Sequence, residues 1–286
     1  MKKWMPISAI IVVGLAIVGL SISSSRSSGH HELIKRLDSK TGKVVEFFWD
    51  APQKTDKKLP AIVYVHGVQD ESRPGAIKLV KGDVLSSTAK MGYFAAAMSM
   101  PGYGQSSGEA DFCGRESQLA LQSTVAYLRN RPDVDSNSIA VSGLSCGAVV
   151  ASMIADKEPL AAMILISGVY EFEDMYAKWR TPEWPLQPEI MNYIEKSVAT
   201  DGGLKTAARY RSALPNADQF KMPLLLIAGG KDRTVDSGQS MVLAKAIQSN
   251  GHANRLIFNP EGGHTVPYED WVKYSTEFLQ KSLNRK

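Results

Sequence analysis

Ser145 sits in Gly143-Leu144-Ser145-Cys146-Gly147, between the apolar run Ile139-Ala140-Val141 and the small-residue run Ala148-Val149-Val150. A strand, a sharp turn and a helix in that order hold a serine in strained backbone geometry. They lift its hydroxyl clear of a sheet and aim the first helical amides at whatever it attacks. Side chains at positions 143 and 147 would collide where strand and helix pass close together, which is why both are glycine. This is the setting for acyl transfer, in which a serine needs a base to take its proton and an acid to hold that base in one tautomer.

Both partners are found downstream. The apolar run Leu224 to Ala228 ends in Gly229-Gly230-Lys231-Asp232, and the next such run ends in Asn259-Pro260-Glu261-Gly262-Gly263-His264. Asp232 and His264 therefore each fall just past the carboxyl end of a strand, the edge at which an open α/β sheet keeps its site. Ser145, Asp232 and His264 are the expected catalytic residues. The other histidines fit less well: His30 and His31 fall in a linker, and His252 precedes the last strand. His66 ends a strand ahead of the serine, where it is expected to shape the adjoining loop. Among acids, Asp236 is placed to cap the following helix, and Glu261 lies too near His264 along the turn to support it. The oxyanion of a tetrahedral intermediate needs two preorganised donors, expected to be the backbone N–H groups of Cys146 and of Val68, which follows His66-Gly67.

Strands and helices must alternate to place these groups. Short apolar runs at Val44–Trp49, Pro60–Val65, Tyr93–Met98, Leu160–Ile166, Leu224–Ala228 and Arg255–Phe258 join the run before Ser145 as predicted strands. Helical spacing is seen over Ile77–Met91, Arg115–Arg131 and Pro267–Leu283, with a further helix after Ser145 running to Asp156. Continuous apolar runs mark strands buried on both faces, so the pattern predicts an α/β fold: a mostly parallel central sheet with helices on both faces. The segment 168–220 breaks the alternation. It is too long for a simple crossover and carries Tyr170, Tyr176, Trp179 and Trp184, so it is read as a small helical lid insertion. Tyr176 and Trp179 in this insertion are expected substrate contacts.

The chain has 286 residues, is 44% hydrophobic and 22% charged, and carries a net charge of +4, enough apolar material for one large core. Its Lys and Arg are scattered, which gives no reason to expect nucleic-acid binding. Met1-Lys2-Lys3 precedes an uncharged apolar run, Ile7 to Leu20, so residues 1–22 read as a signal peptide or membrane anchor that places the rest outside the cytoplasm. Residues 23–43 read as a linker and 44–286 as the domain. The two cysteines, Cys113 and Cys146, lack metal-ligand spacing. An oxidising compartment would let them pair, but a disulfide at Cys146 is expected to distort the turn.

His66-Gly67, Pro101-Gly102-Tyr103-Gly104, the pentapeptide around Ser145, Gly230-Lys231-Asp232 with Val235, and Gly263-His264 together resemble the α/β-hydrolase superfamily. The similarity is closest to its dienelactone hydrolase and prolyl-oligopeptidase-like branch of small serine hydrolases. It spans roughly Val44 to the C-terminus, and it implies that the Pro101–Ser106 loop lies beside the site with Tyr103 as a third substrate contact. It implies an α/β-hydrolase fold and hydrolysis of an ester, thioester or peptide without metal or cofactor, the substrate being a small acyl compound or short peptide. Two departures shift the expectation from peptidase to carboxylesterase. Peptidases of this branch usually carry a large N-terminal domain, for which the sequence leaves no room, and many use a tyrosine in the loop that here reads Val68-Gln69-Asp70-Glu71-Ser72-Arg73. A peptidase or aminoacyl hydrolase, an acyltransferase and a non-catalytic binding module on the same fold remain as alternatives.

Overall fold

The computed structural model describes residues 30–36, 42–53 and 56–283. Its strands are β1 (His30–Lys35), β2 (Val44–Asp50), β3 (Leu59–Val65), β4 (Phe94–Met98), β5 (Val134–Leu144), β6 (Ala162–Ile166), β7 (Leu224–Gly229) and β8 (Asn254–Asn259). They form an eight-stranded sheet in the order β1-β2-β4-β3-β5-β6-β7-β8. β2 runs antiparallel to β1 and β4; every other neighbouring pair is parallel. The helices are α1 (Ile77–Lys81), α2 (Val84–Lys90), α3 (Arg115–Arg129), α4 (Cys146–Ser152), α5 (Phe172–Lys178), α6 (Pro188–Thr200), α7 (Leu204–Arg209), α8 (Gly238–Ser249) and α9 (Tyr268–Leu283).

The apolar strands serve two cores because successive side chains point to opposite faces. On β3, Ala61, Val63 and Val65 join Leu121 and Val125 of α3, Val150 of α4 and Leu243 of α8. Ile62 and Tyr64 face the other way, toward Leu85 of α2 and Phe278 and Leu279 of α9. Between β6 and β7 the alternation is interrupted by α5, α6, α7 and a 3-10 turn at Leu214–Gln219, which is the helical insertion expected over 168–220.

Four expectations need correction. Residues 30–35, read as part of a linker, form the edge strand β1, in register from His30 opposite Trp49 to Lys35 opposite Val44. Side-chain pairing holds a segment that hydropathy alone does not mark. His30 stacks on Trp49 at 3.9 Å, and the Glu32 carboxylate accepts from Trp49 Nε1 at 2.7 Å and from the Tyr127 hydroxyl at 2.5 Å. The helical stretch 77–91 is broken into α1 and α2 at Gly82-Asp83, where Asp83 takes a φ of +57°. The helix after Ser145 ends at Ser152 rather than at Asp156. The signal or anchor reading of residues 1–22 lies outside the described residues.

The fourth correction concerns the cysteines. Cys113 and Cys146 are joined, with Cα atoms 5.3 Å apart, and the turn at Ser145 is intact. Phe112 and Cys113 have φ of +44° and +60°, which turn the loop before α3 so that Cys113 meets the first turn of α4. The turn is set by backbone contacts at positions 143 and 147, so the Cys146 side chain is free to leave sideways. The bridge joins residues 33 apart in sequence and, in the chain-entropy account, restricts the unfolded state by roughly 3–4 kcal/mol. A thermal scan with and without reductant, and the same scan on Cys113→Ser, should show unfolding several degrees lower once the bridge is absent. Two free thiols in the unreduced, unfolded protein would contradict the bridge.

Candidate active site

The turn after β5 is made by backbones that touch. A Cβ on Gly143 would run into the Gly147 carbonyl, and a Cβ on Gly147 would run into the Val65 carbonyl at the end of β3. With both absent, α4 begins directly against the sheet, and Ser145 is held at φ +55°, ψ −119°. Its own N–H donates to Ile166 O at 2.8 Å, fastening the turn to β6. Gly67 approaches from β3, where a Cβ would stand 3.1 Å from Ser145 Cβ.

The structure brings Ser145, His264 and Asp232 together across separations of 119 and 32 residues. His264 Nδ1 lies 2.7 Å from Asp232 Oδ2, and its Nε2 lies 2.9 Å from Ser145 Oγ. A carboxylate can only accept, so the ring proton belongs on Nδ1, and Nε2 is left to accept from the serine hydroxyl. Asp232, 5% exposed, uses its second oxygen to accept from the N–H groups of Thr234 and Val235 at 2.7 and 2.9 Å. Those two bonds orient the carboxylate toward the imidazole.

The rival acids are engaged elsewhere. Asp236 accepts from Lys178 Nζ and from the Gly238 N–H at the start of α8, and Glu261 pairs with Lys231. His66 is buried beside the loop that follows β3. Its Nδ1–H donates to Gly67 O at 2.8 Å and its Nε2 accepts from the Met100 N–H at 3.1 Å, so the neutral ring bridges two loops. Val68 and Cys146 lie on the cavity wall beside Ser145, and neither N–H has an acceptor among the described residues.

That cavity, about 620 Å³, is lined on the sheet side by Val68, Val149 and the Cys113–Cys146 bridge, and on the insertion side by Phe172, Trp179, Leu186, Ile190 and Ile194. A second cavity of about 420 Å³, lined by Leu79, Leu144, Val266 and Trp271, shares Val68, Ser145 and His264 with it. Of the three expected substrate contacts, only Trp179 lines either cavity. Tyr103 is buried against His66, with ring centroids 4.8 Å apart, and Tyr176 turns its hydroxyl to Arg180. Trp179 also donates its indole N–H to Thr234 O at 2.7 Å, tying the insertion to the loop that carries Asp232.

Two positioning features were missed in the sequence. Gly229 ends β7 where a Cβ would strike the carbonyls of Gly262 and Gly263, and Lys231 N–H donates to Gly262 O at 2.8 Å. The paired glycines at 229–230 and 262–263 were the available signal that the acid and histidine loops pack backbone on backbone. Arg211, 1% exposed, reaches from the insertion to the carbonyls of Asp111 and Phe112; nothing in local sequence marks that bond across 100 residues.

The model of the prolyl oligopeptidase family, Peptidase S9, matches residues 86–286. The chain belongs to the prolyl oligopeptidase family, a family of serine hydrolases. It is 23% identical over 224 residues to the acylamino-acid-releasing enzyme of Sus scrofa, covering 76% of this chain but 30% of that protein. Among solved structures it is similar to an acylaminoacyl peptidase of Pyrococcus horikoshii, with a TM-score of 0.70 at 20% identity over 90% of this chain and 42% of that one. It is also similar to an esterase of Pyrococcus furiosus, with a TM-score of 0.67 at 19% identity, covering 93% of this chain and 98% of that one. At these identities the structural likeness is one of fold.

Two consequences can be measured. Burial pushes the His66 imidazole down to about 4 from its ordinary 6.5, so the unfolded chain takes up a proton that the folded chain refuses. His66 therefore lowers stability as pH falls from about 6.5 toward 4, by up to about 3 kcal/mol. Denaturant titrations across that range should show the loss, and His66→Gln should flatten it; an unchanged slope in the variant would dismiss the effect. Gly229→Ala should shift the His264 loop and slow the reaction of Ser145 with a fluorophosphonate by about 10²-fold, with circular dichroism unchanged. A wild-type rate would show that the contact does not position the histidine.

Proposed function

We propose that this chain hydrolyses carboxylic esters through an acyl-enzyme on Ser145. The observation that carries the reading is the continuous line Asp232–His264–Ser145 opening onto a largely apolar cavity. His264 Nε2 takes the hydroxyl proton as Ser145 attacks the ester carbonyl, and Asp232 stabilises the imidazolium that forms. The N–H groups of Val68 and Cys146, both without another acceptor among the described residues, hold the oxyanion. The imidazolium returns its proton to the leaving alkoxide. Water then attacks the acyl-enzyme with the same histidine as base, releasing the acid and restoring the serine.

The apolar wall supplied by the insertion favours an acyl or leaving group rich in carbon, and the Val68–Arg73 loop contains no tyrosine, so both donors are backbone groups. A second reading, release of an acylated amino acid or short peptide, is favoured by the likeness to the pig acylamino-acid-releasing enzyme and the Pyrococcus horikoshii acylaminoacyl peptidase. A panel of 4-nitrophenyl esters of increasing chain length, run beside acylaminoacyl anilides, separates the two. Esters should be the better substrates, and Ser145→Ala should lower kcat by on the order of 10⁴ or more and abolish fluorophosphonate labelling. A folded protein that no fluorophosphonate labels would end the hydrolase reading.

A further inference from the structure

Two arginines line the larger cavity, Arg211 and Arg73, and their guanidinium groups are held in opposite ways. Every donor nitrogen of Arg211 is engaged: Nε with Phe112 O, Nη2 with Asp111 O, and Nη1 with Ala207 O and the Asp201 carboxylate. Arg73 is half-buried, yet among the described residues its side chain makes no ion pair and donates no hydrogen bond. This sets it apart from the other arginines that are not exposed. Arg36, Arg129, Arg131 and Arg211 pair with Glu116, Glu158, Asp133 and Asp201.

What holds Arg73 instead is aromatic. Its Cζ lies 5.6 Å from the centre of the Tyr103 ring and 5.2 Å from that of Tyr193. Both phenols are pushed up by burial and stay neutral, so they attract the cation without neutralising it. The backbone beneath is pinned: Arg73 N–H donates to Asp70 O, Arg73 O accepts from the Gly104 N–H, and the Gln69 amide brackets Gly75 through both its atoms. Of the carboxylates on the same cavity, Asp70 is engaged with Lys78 and Ser72, while Glu71 and Glu189 are exposed at the rim and do not reach Arg73.

A fixed guanidinium with unused donors, on a residue that lines the same largely apolar cavity as Ser145, is built to receive a planar anion through parallel N–H···O bonds. We propose that Arg73 is a specificity-determining residue that binds a carboxylate on the substrate, making the preferred substrate an anionic ester. This rests on the hydrolase reading of Ser145 for its catalytic consequence, but not for the binding itself.

The test compares kcat/KM for charged and neutral esters of matched length in wild type, Arg73→Gln and Arg73→Lys. One arm carries the carboxylate on the acyl group, 4-nitrophenyl hemiglutarate against 4-nitrophenyl valerate. The other carries it on the leaving group, 4-carboxyphenyl butyrate against phenyl butyrate. In at least one arm the charged-to-neutral ratio should fall about 10- to 100-fold in Arg73→Gln, chiefly through KM, with Arg73→Lys in between. The arm that responds identifies which half of the substrate bears the anion. Ratios that change less than about two-fold in both arms, or parallel losses on charged and neutral esters, overturn the proposal. If no ester is turned over and Ser145 is not labelled, it is the hydrolase reading that has failed. Calorimetric titration with glutarate then decides: saturable binding by wild type that Arg73→Gln loses sustains the carboxylate site, and equal or absent binding removes it.

Discussion

Three backbones meet where β5 ends, and the fold around Ser145 depends on how close they come. β3 delivers Val65 to one side, α4 starts on the other, and the absence of side chains at Gly143 and Gly147 is what allows the contact. A single methyl group at either position would lift the helix from the sheet. The same closeness holds Ser145 at a positive φ and leaves its hydroxyl at the floor of the cavity, with the Val68 and Cys146 amides alongside. Position 67 obeys the same limit, since the loop after β3 passes within van der Waals distance of the serine. Strained geometry of this kind persists only when its surroundings over-determine it, and here strand, helix and neighbouring loop all do so.

From that fixed point the polar order of the site follows. Asp232 divides its two oxygens between backbone and imidazole, so the carboxylate cannot rotate without losing a bond on one side. The imidazole is thereby held in the tautomer that presents a lone pair to Ser145. A second imidazole, His66, has the opposite fate: both nitrogens are saturated by main-chain groups and burial keeps it neutral. One histidine faces a serine hydroxyl across the cavity floor, and the other is a strut between loops.

The helical insertion is fastened to this framework at chemically different points. Trp179 donates to Thr234 O beside the acid, Lys178 pairs with Asp236, and Arg211 grips the carbonyls of the loop that carries Cys113. Because that loop is itself bridged to Cys146, the insertion, the loop before α3 and the start of α4 form one connected wall around the larger cavity. Buried guanidinium and indole donors left without acceptors would be costly, so their bonds help set the position of the insertion.

Local chemistry made much of this readable in advance. Apolar runs long enough for buried strands, each ending in a glycine-rich turn with one reactive side chain, were sufficient to nominate Ser145, Asp232 and His264. They were also sufficient for a mostly parallel sheet, because strand and helix periodicity are properties of a few neighbouring residues. The edge strand β1 escaped notice because Glu32 and His30 are held by Trp49 and Tyr127, partners that only the folded sheet supplies. Tyr103 and Trp179 look alike as loop aromatics; packing alone puts the first beneath the wall and the second on it. The disulfide and the aromatic setting of Arg73 are decided in the same way, by which distant segments arrive beside them. Sequence determined the reactive groups and the elements that bear them, since both are local. Tertiary structure decided which groups meet and which charge is left without an acidic partner among the described residues, because those depend on approaches between segments more than a hundred residues apart.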